Sequence, residues 1–72
     1  MYLDFKLVHR KPKTAVYRVV SKSSGETLGS IYWYGSWRQY VFQPEPETIW
    51  SRGCMRQVFD FIQKLMEAWK KE

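Results

Sequence analysis

The chain has 72 residues, 44% hydrophobic and 18% aromatic, with a net charge of +5 from 12 Lys and Arg against 7 Asp and Glu. That length makes one small domain (1–72), which buries only about 60% of the surface its unfolded form exposes, so a few bulky rings must fill the core. One cysteine excludes an internal disulfide framework, no structural zinc ligand set is present, and no apolar run approaches the roughly 20 residues that span a bilayer. Without a signal-peptide pattern at its start, the chain is expected in the cytoplasm, with no membrane partner. Its positive charge favours an anionic partner such as nucleic acid. Cys54 reads as a small buried hydrophobe.

Residues 1–13 are expected as an extended N-terminal arm or edge strand followed by a basic loop. In "YLDFKLV", residues 2–8, Leu3, Phe5 and Leu7 alternate against Tyr2, Asp4 and Lys6, the period of a strand. Pro12 then breaks pairing inside "HRKPK". Residues 14–43 are read as a β-meander. "TAVYRVVS" (14–21) is rich in β-branched residues, "SSGE" is a turn, and "TLGSIYWYG" is the next strand. Gly35-Ser36 is read as a second tight turn before "RQYVFQ" (38–43), and "PEPE" ends the sheet because proline cannot donate to a ladder.

The period changes at residue 51. Met55, Val58, Phe59, Ile62, Leu65, Met66 and Trp69 recur at three- and four-residue spacing, which predicts an amphipathic helix over 51–71 with Ser51 as N-cap. Opposite the stripe, Asp60–Lys64 and Glu67–Lys71 are acid-before-base pairs four apart, worth a few tenths of a kcal/mol each. The predicted fold class is α+β, an antiparallel three- to four-stranded meander packed on one C-terminal helix (β-β-β-β-α).

Two-residue turns at Ser24-Gly25 and Gly35-Ser36 sort the sheet into two faces. One carries Val16, Val20, Ile31, Trp33, Tyr40 and Phe42, with Arg18 and Arg38 at its rim. The other carries Ala15, Tyr17, Val19, Leu28, Tyr32, Tyr34, Trp37, Gln39 and Val41. One helix covers one face, and the first is the more aliphatic. Tyr17, Tyr32, Tyr34 and Trp37 are then expected toward solvent. A one-residue error at either turn reverses a strand.

Catalytic chemistry finds no footing. His9, the only histidine, reads as a solvated loop residue with nothing nearby to activate it. Glu45 and Glu47 read as solubilising charges in a proline turn. No phosphate-binding glycine loop, dinucleotide fingerprint or metal-ligand spacing is present, so the expectation is a non-enzyme with no cofactor and no small-molecule substrate.

Two binding roles of different class remain. In the first, a small accessory protein binds nucleic acid. Tyr17, Tyr32, Tyr34 and Trp37 stack on bases, while Arg10, Lys11, Lys13 and Lys22 neutralise phosphates. Arg38, Arg52 and Arg56 add a second cationic edge near the helix start. A three-stranded sheet backed by one helix is an architecture some DNA-binding domains insert into the major groove, an analogy of fold alone. In the second role the same aromatic face is a protein interface, for a homodimer or a host-factor target.

The stretch "LGSIYWYGSWRQYVFQPEPETIWSRGC", Leu28 to Cys54, followed by the helix, resembles short uncharacterised proteins of bacteria and their phages. Those proteins share a pattern close to G-x-I-x-W-Y-x-x-W-R-Q-Y-x-F-x-P before a terminal helix, with "WYGSWRQY" its most specific part. The resemblance implies a prokaryotic or phage setting and supplies no catalytic or binding residues. The segment "MYLDFKLVHRKPK" lies outside the pattern.

Overall fold

Four strands and one helix follow in chain order in the computed structural model, which describes residues 3–70. They are β1 (Leu3–Arg10), β2 (Ala15–Ser21), β3 (Thr27–Tyr34), β4 (Gln39–Pro44) and α1 (Arg52–Lys70). The strands form one antiparallel sheet in the order β1-β2-β3-β4, and the α+β arrangement is the one the periodicities predict. β1 is an edge strand, one of the two forms expected for this segment; Tyr2 and Lys71 fall outside the described residues.

The turns are longer than predicted. Ser21 donates to the Glu26 carbonyl and Gly25 to that of Ser21, so the bond between Ser21 and Glu26 closes a turn of four residues, 22–25. Gly25 takes φ +74 there, a left-handed conformation that glycine adopts without steric penalty. Between β3 and β4 the turn is also four residues, 35–38, with Arg38 left-handed at φ 54. Lengthening a turn by two preserves parity, and Ile31, Trp33, Tyr40 and Phe42 do share the helix side.

β2 is reversed relative to expectation. Val20 pairs with Thr27 but Val19 pairs with Gly29, so Leu28 is the extra residue of a β-bulge. That one residue flips everything before it on β2. Ala15, Tyr17 and Val19 face the helix, and Val16, Arg18 and Val20 lie on the open side. Arg18 is therefore exposed rather than at the core rim, and Arg38 sits exposed in its turn.

The core gathers Leu3, Val19, Ile31, Tyr40 and Val58. Each aliphatic member contributes on the order of 1.5–3 kcal/mol by burial. Rings close it from both layers. Phe5 stacks on Phe61 at 4.2 Å, Tyr17 meets Phe61 edge-on at 4.9 Å, and Trp33 lies 4.7 Å from Trp69 and 5.5 Å from Tyr40. Phe42 packs edge-on against Trp50 at 4.8 Å. Cys54 is half-buried beside this core.

Ser51 caps α1 as predicted, its Oγ accepting from the Cys54 amide at 3.1 Å. The helix is rotated from the predicted stripe. Phe61 joins the core, whereas Met55 and Phe59 are 53% and 60% exposed. Asp60 pairs with Arg56 at 3.5 Å instead of Lys64. The expected pair of Glu67 with Lys71 is not described, because Lys71 lies outside the described residues.

Candidate functional site: the open face of the sheet

Because α1 covers one side only, the register defines an uncovered face. Across its middle runs a row in which Lys6 pairs with Arg18, Arg18 with Ser30, and Ser30 with Gln43. His9 and Val16 form a second pair nearer the β1–β2 loop, and Tyr32 pairs with Val41 on the far strands. Asp4 pairs with Val20 at the other end; Val20 is buried, although it stands outside the core cluster.

Like charges directly opposite on neighbouring strands repel. Lys6 and Arg18 are such a pair, both exposed, and neither is within ion-pair distance of a carboxylate among the described residues. The sheet thus carries a cationic step on β1 and β2, with Asp4 the next residue along the same face of β1 and not in ion-pair contact with either cation.

Beside it, β3 and β4 carry the rings. Tyr34 is 40% exposed and Trp37 66%, and the two meet edge-to-face with centroids 5.0 Å apart. Tyr32 is half-buried, its hydroxyl donating to Gln43 Oε1 at 2.9 Å. Together with Val41 these residues line a shallow hollow of about 260 Å³. Tyr32 is held in place by its hydrogen bond, whereas Trp37, on the turn, is the most exposed of the three rings.

Of the residues singled out from sequence, Tyr32, Tyr34 and Trp37 come together here. Tyr17 does not: the bulge places it in the core against Phe61, so it leaves the candidate surface. Arg10, Lys11 and Lys13 line a different hollow of about 250 Å³, on the helix side, floored by Tyr40, Leu65 and Trp69. They stand at the C-terminal end of α1, whose partial negative charge they complement. In an antiparallel meander the turn holding Arg38 lies at that same end. Arg38 is therefore remote from the helix start, and it does not form one cationic edge with Arg52 and Arg56. Lys22 lies in the β2–β3 turn at the opposite end from Arg10, Lys11 and Lys13.

Sequence reasoning missed Lys6 and Arg18. The available signal was Gly29, since a glycine inside a strand marks a bulge or a close backbone approach. Among the described residues no cluster of three or more His, Cys, Asp or Glu is placed to hold a metal ion, and no helix is long and apolar enough to cross a membrane.

Over 71 residues, 97% of its length, the chain is 32% identical to the uncharacterized 9.3 kDa protein of Acholeplasma phage L2, covering 91% of that relative. No family model matches, and no solved structure matches.

Proposed function

The chain belongs to the family of that small phage protein, and for it we propose a non-enzymatic, nucleic-acid-binding accessory role in the cytoplasm, exercised through the open sheet face. One observation carries the proposal: Lys6 and Arg18, opposed and unpaired with acid, share an uncovered face with Tyr34 and Trp37. An anion laid across Lys6 and Arg18 relieves their repulsion, and bases beyond it reach aromatic faces. Stacking contributes on the order of 1–3 kcal/mol per base.

Geometry favours a single strand. Four strands at about 4.8 Å spacing span about 14 Å before side chains are added, wider than the roughly 12 Å major groove. Lying flat in that groove is therefore disfavoured, while an unpaired strand can follow the face. Within the family we read Gly29–Pro44, with its G-x-I-x-W-Y-x-x-W-R-Q-Y-x-F-x-P pattern, as the signature, because it supplies both core rings and the exposed pair.

The test is a titration with single- and double-stranded oligonucleotides at two salt concentrations, on the native chain and on Tyr34→Ala/Trp37→Ala. The proposal expects single strands to bind more tightly, affinity to fall with salt, and the double variant to weaken binding while keeping its fold. Absence of binding at low salt would refute it. The same exposed Trp37 also suits a protein partner, since tryptophan is enriched at interface hot spots. That reading gains if the native chain ignores nucleic acid altogether.

A further inference from the structure

The two edges of the sheet are not equivalent. On β4, Glu45 donates inward to the Leu28 carbonyl, so alternation turns the backbone groups of Tyr40, Phe42 and Pro44 outward. Met66 Sδ accepts from the Tyr40 amide at 3.4 Å, and Pro44 has no N–H to offer. The helix and a proline thus blunt this edge.

Among the described residues, none covers β1 in this way. The Ser21 amide is bonded toward Glu26, away from β1, so in the Leu3–Ser21 pair both residues turn their backbone groups away from each other. The register is regular to Leu7, and alternation therefore points the N–H and C=O groups of Leu3, Phe5 and Leu7 out of the sheet. An open edge of this kind is a template for another strand.

The sequence of that edge is self-complementary. Around Phe5, "LDFKL" reads apolar, acidic, apolar, basic, apolar, and in the reverse direction the acid and the base exchange places. We propose that β1 pairs antiparallel with β1 of a second copy, about a two-fold axis at Phe5, joining two sheets into one of eight strands. Phe5 then exchanges backbone bonds with the partner's Phe5, and Leu3 with the partner's Leu7. Asp4 falls opposite the partner's Lys6, on the open face. Centring on Asp4 or Lys6 instead would oppose like charges. Leu7, 51% exposed in one copy, gains an apolar neighbour. A five-residue contact is small, so the dimer is a weak one.

Light scattering or sedimentation of the full chain, without nucleic acid, from about 1 μM to about 1 mM reads the association. A concentration-dependent dimer is expected. Lys6→Asp and Asp4→Lys each place like charges opposite twice, and each should weaken it by about tenfold or more. Combining both changes in one chain should restore it, and so should mixing the two single variants. Leu7→Pro removes an outward N–H that makes no bond to β2, together with the exposed leucine side chain, and should abolish the dimer while the circular dichroism spectrum is kept. A monomer throughout the range would overturn the proposal, leaving the exposed charges of β1 as protection against pairing. A dimer indifferent to the charge reversals, or not restored by their combination, would overturn it equally. The measurement contains no nucleic acid, so its outcome is independent of the binding titration above.

Discussion

A methyl group at Gly29 would stand 2.6 Å from Phe42 Cε1 and 2.8 Å from the Gln43 carbonyl oxygen, and the second of these is backbone that cannot swing aside. Gly29→Ala should therefore destabilise the chain by about 1–3 kcal/mol, read as a lower urea midpoint. The two tryptophans of the hairpin give the opposite lesson. Trp33, wedged between Tyr40 and Trp69, should cost about 3–5 kcal/mol when truncated to Ala. Trp37→Ala should stay within about 0.5 kcal/mol of native stability. Thermal melts of the two variants check this contrast. The difference between Trp33 and Trp37 was legible in the sequence, because alternation separates them once Trp37 is assigned to the turn side.

At the scale of elements, parity decides what the sequence revealed. A turn two residues longer than assumed leaves Ile31, Trp33, Tyr40 and Phe42 on one face, so β3 and β4 were readable despite the wrong turn. β2 was not, because the bulge at Leu28 adds one residue rather than two, and within "AVYRVV" only the charge of Arg18 on the side assigned to the core spoke against the assumed register. The helix shows a milder form of the same limit. Phe59 and Phe61 are two apart and equally apolar, yet only Phe61 meets the sheet, against Phe5 and Tyr17. Phe61→Ala is expected to lose about 3–5 kcal/mol and Phe59→Gln almost nothing, a comparison that denaturant titration settles.

Across the whole molecule, the cations of the sheet, its turns and the helix start divide into three groups among the described residues: one at the end holding the β1–β2 loop, one at the end where α1 begins, and one in the middle of the open face. Total charge was evident from composition, but its distribution depends on register. If single strands lie on the open face, Arg18→Ala should reduce the slope of log affinity against log salt by about 0.7. Lys22→Ala, at the far turn, should change it less. Parallel salt titrations of the two variants provide the check.

Tyr40 has a consequence for the timing of the fold. Its hydroxyl accepts from the Ala15 amide at 3.1 Å, across 25 residues of sequence. The hairpins of the meander are local and can close one at a time, but this bond exists only when β2, β3 and β4 are assembled together. The Ala15 proton is thus shielded by a side chain from another strand instead of by its neighbour in a ladder. Local fraying of a hairpin end should leave it protected so long as that hydroxyl stays seated. Its hydrogen–deuterium exchange rate should therefore report opening of the assembled sheet, and Tyr40→Phe should turn the slowest amide of its strand end into one of the fastest.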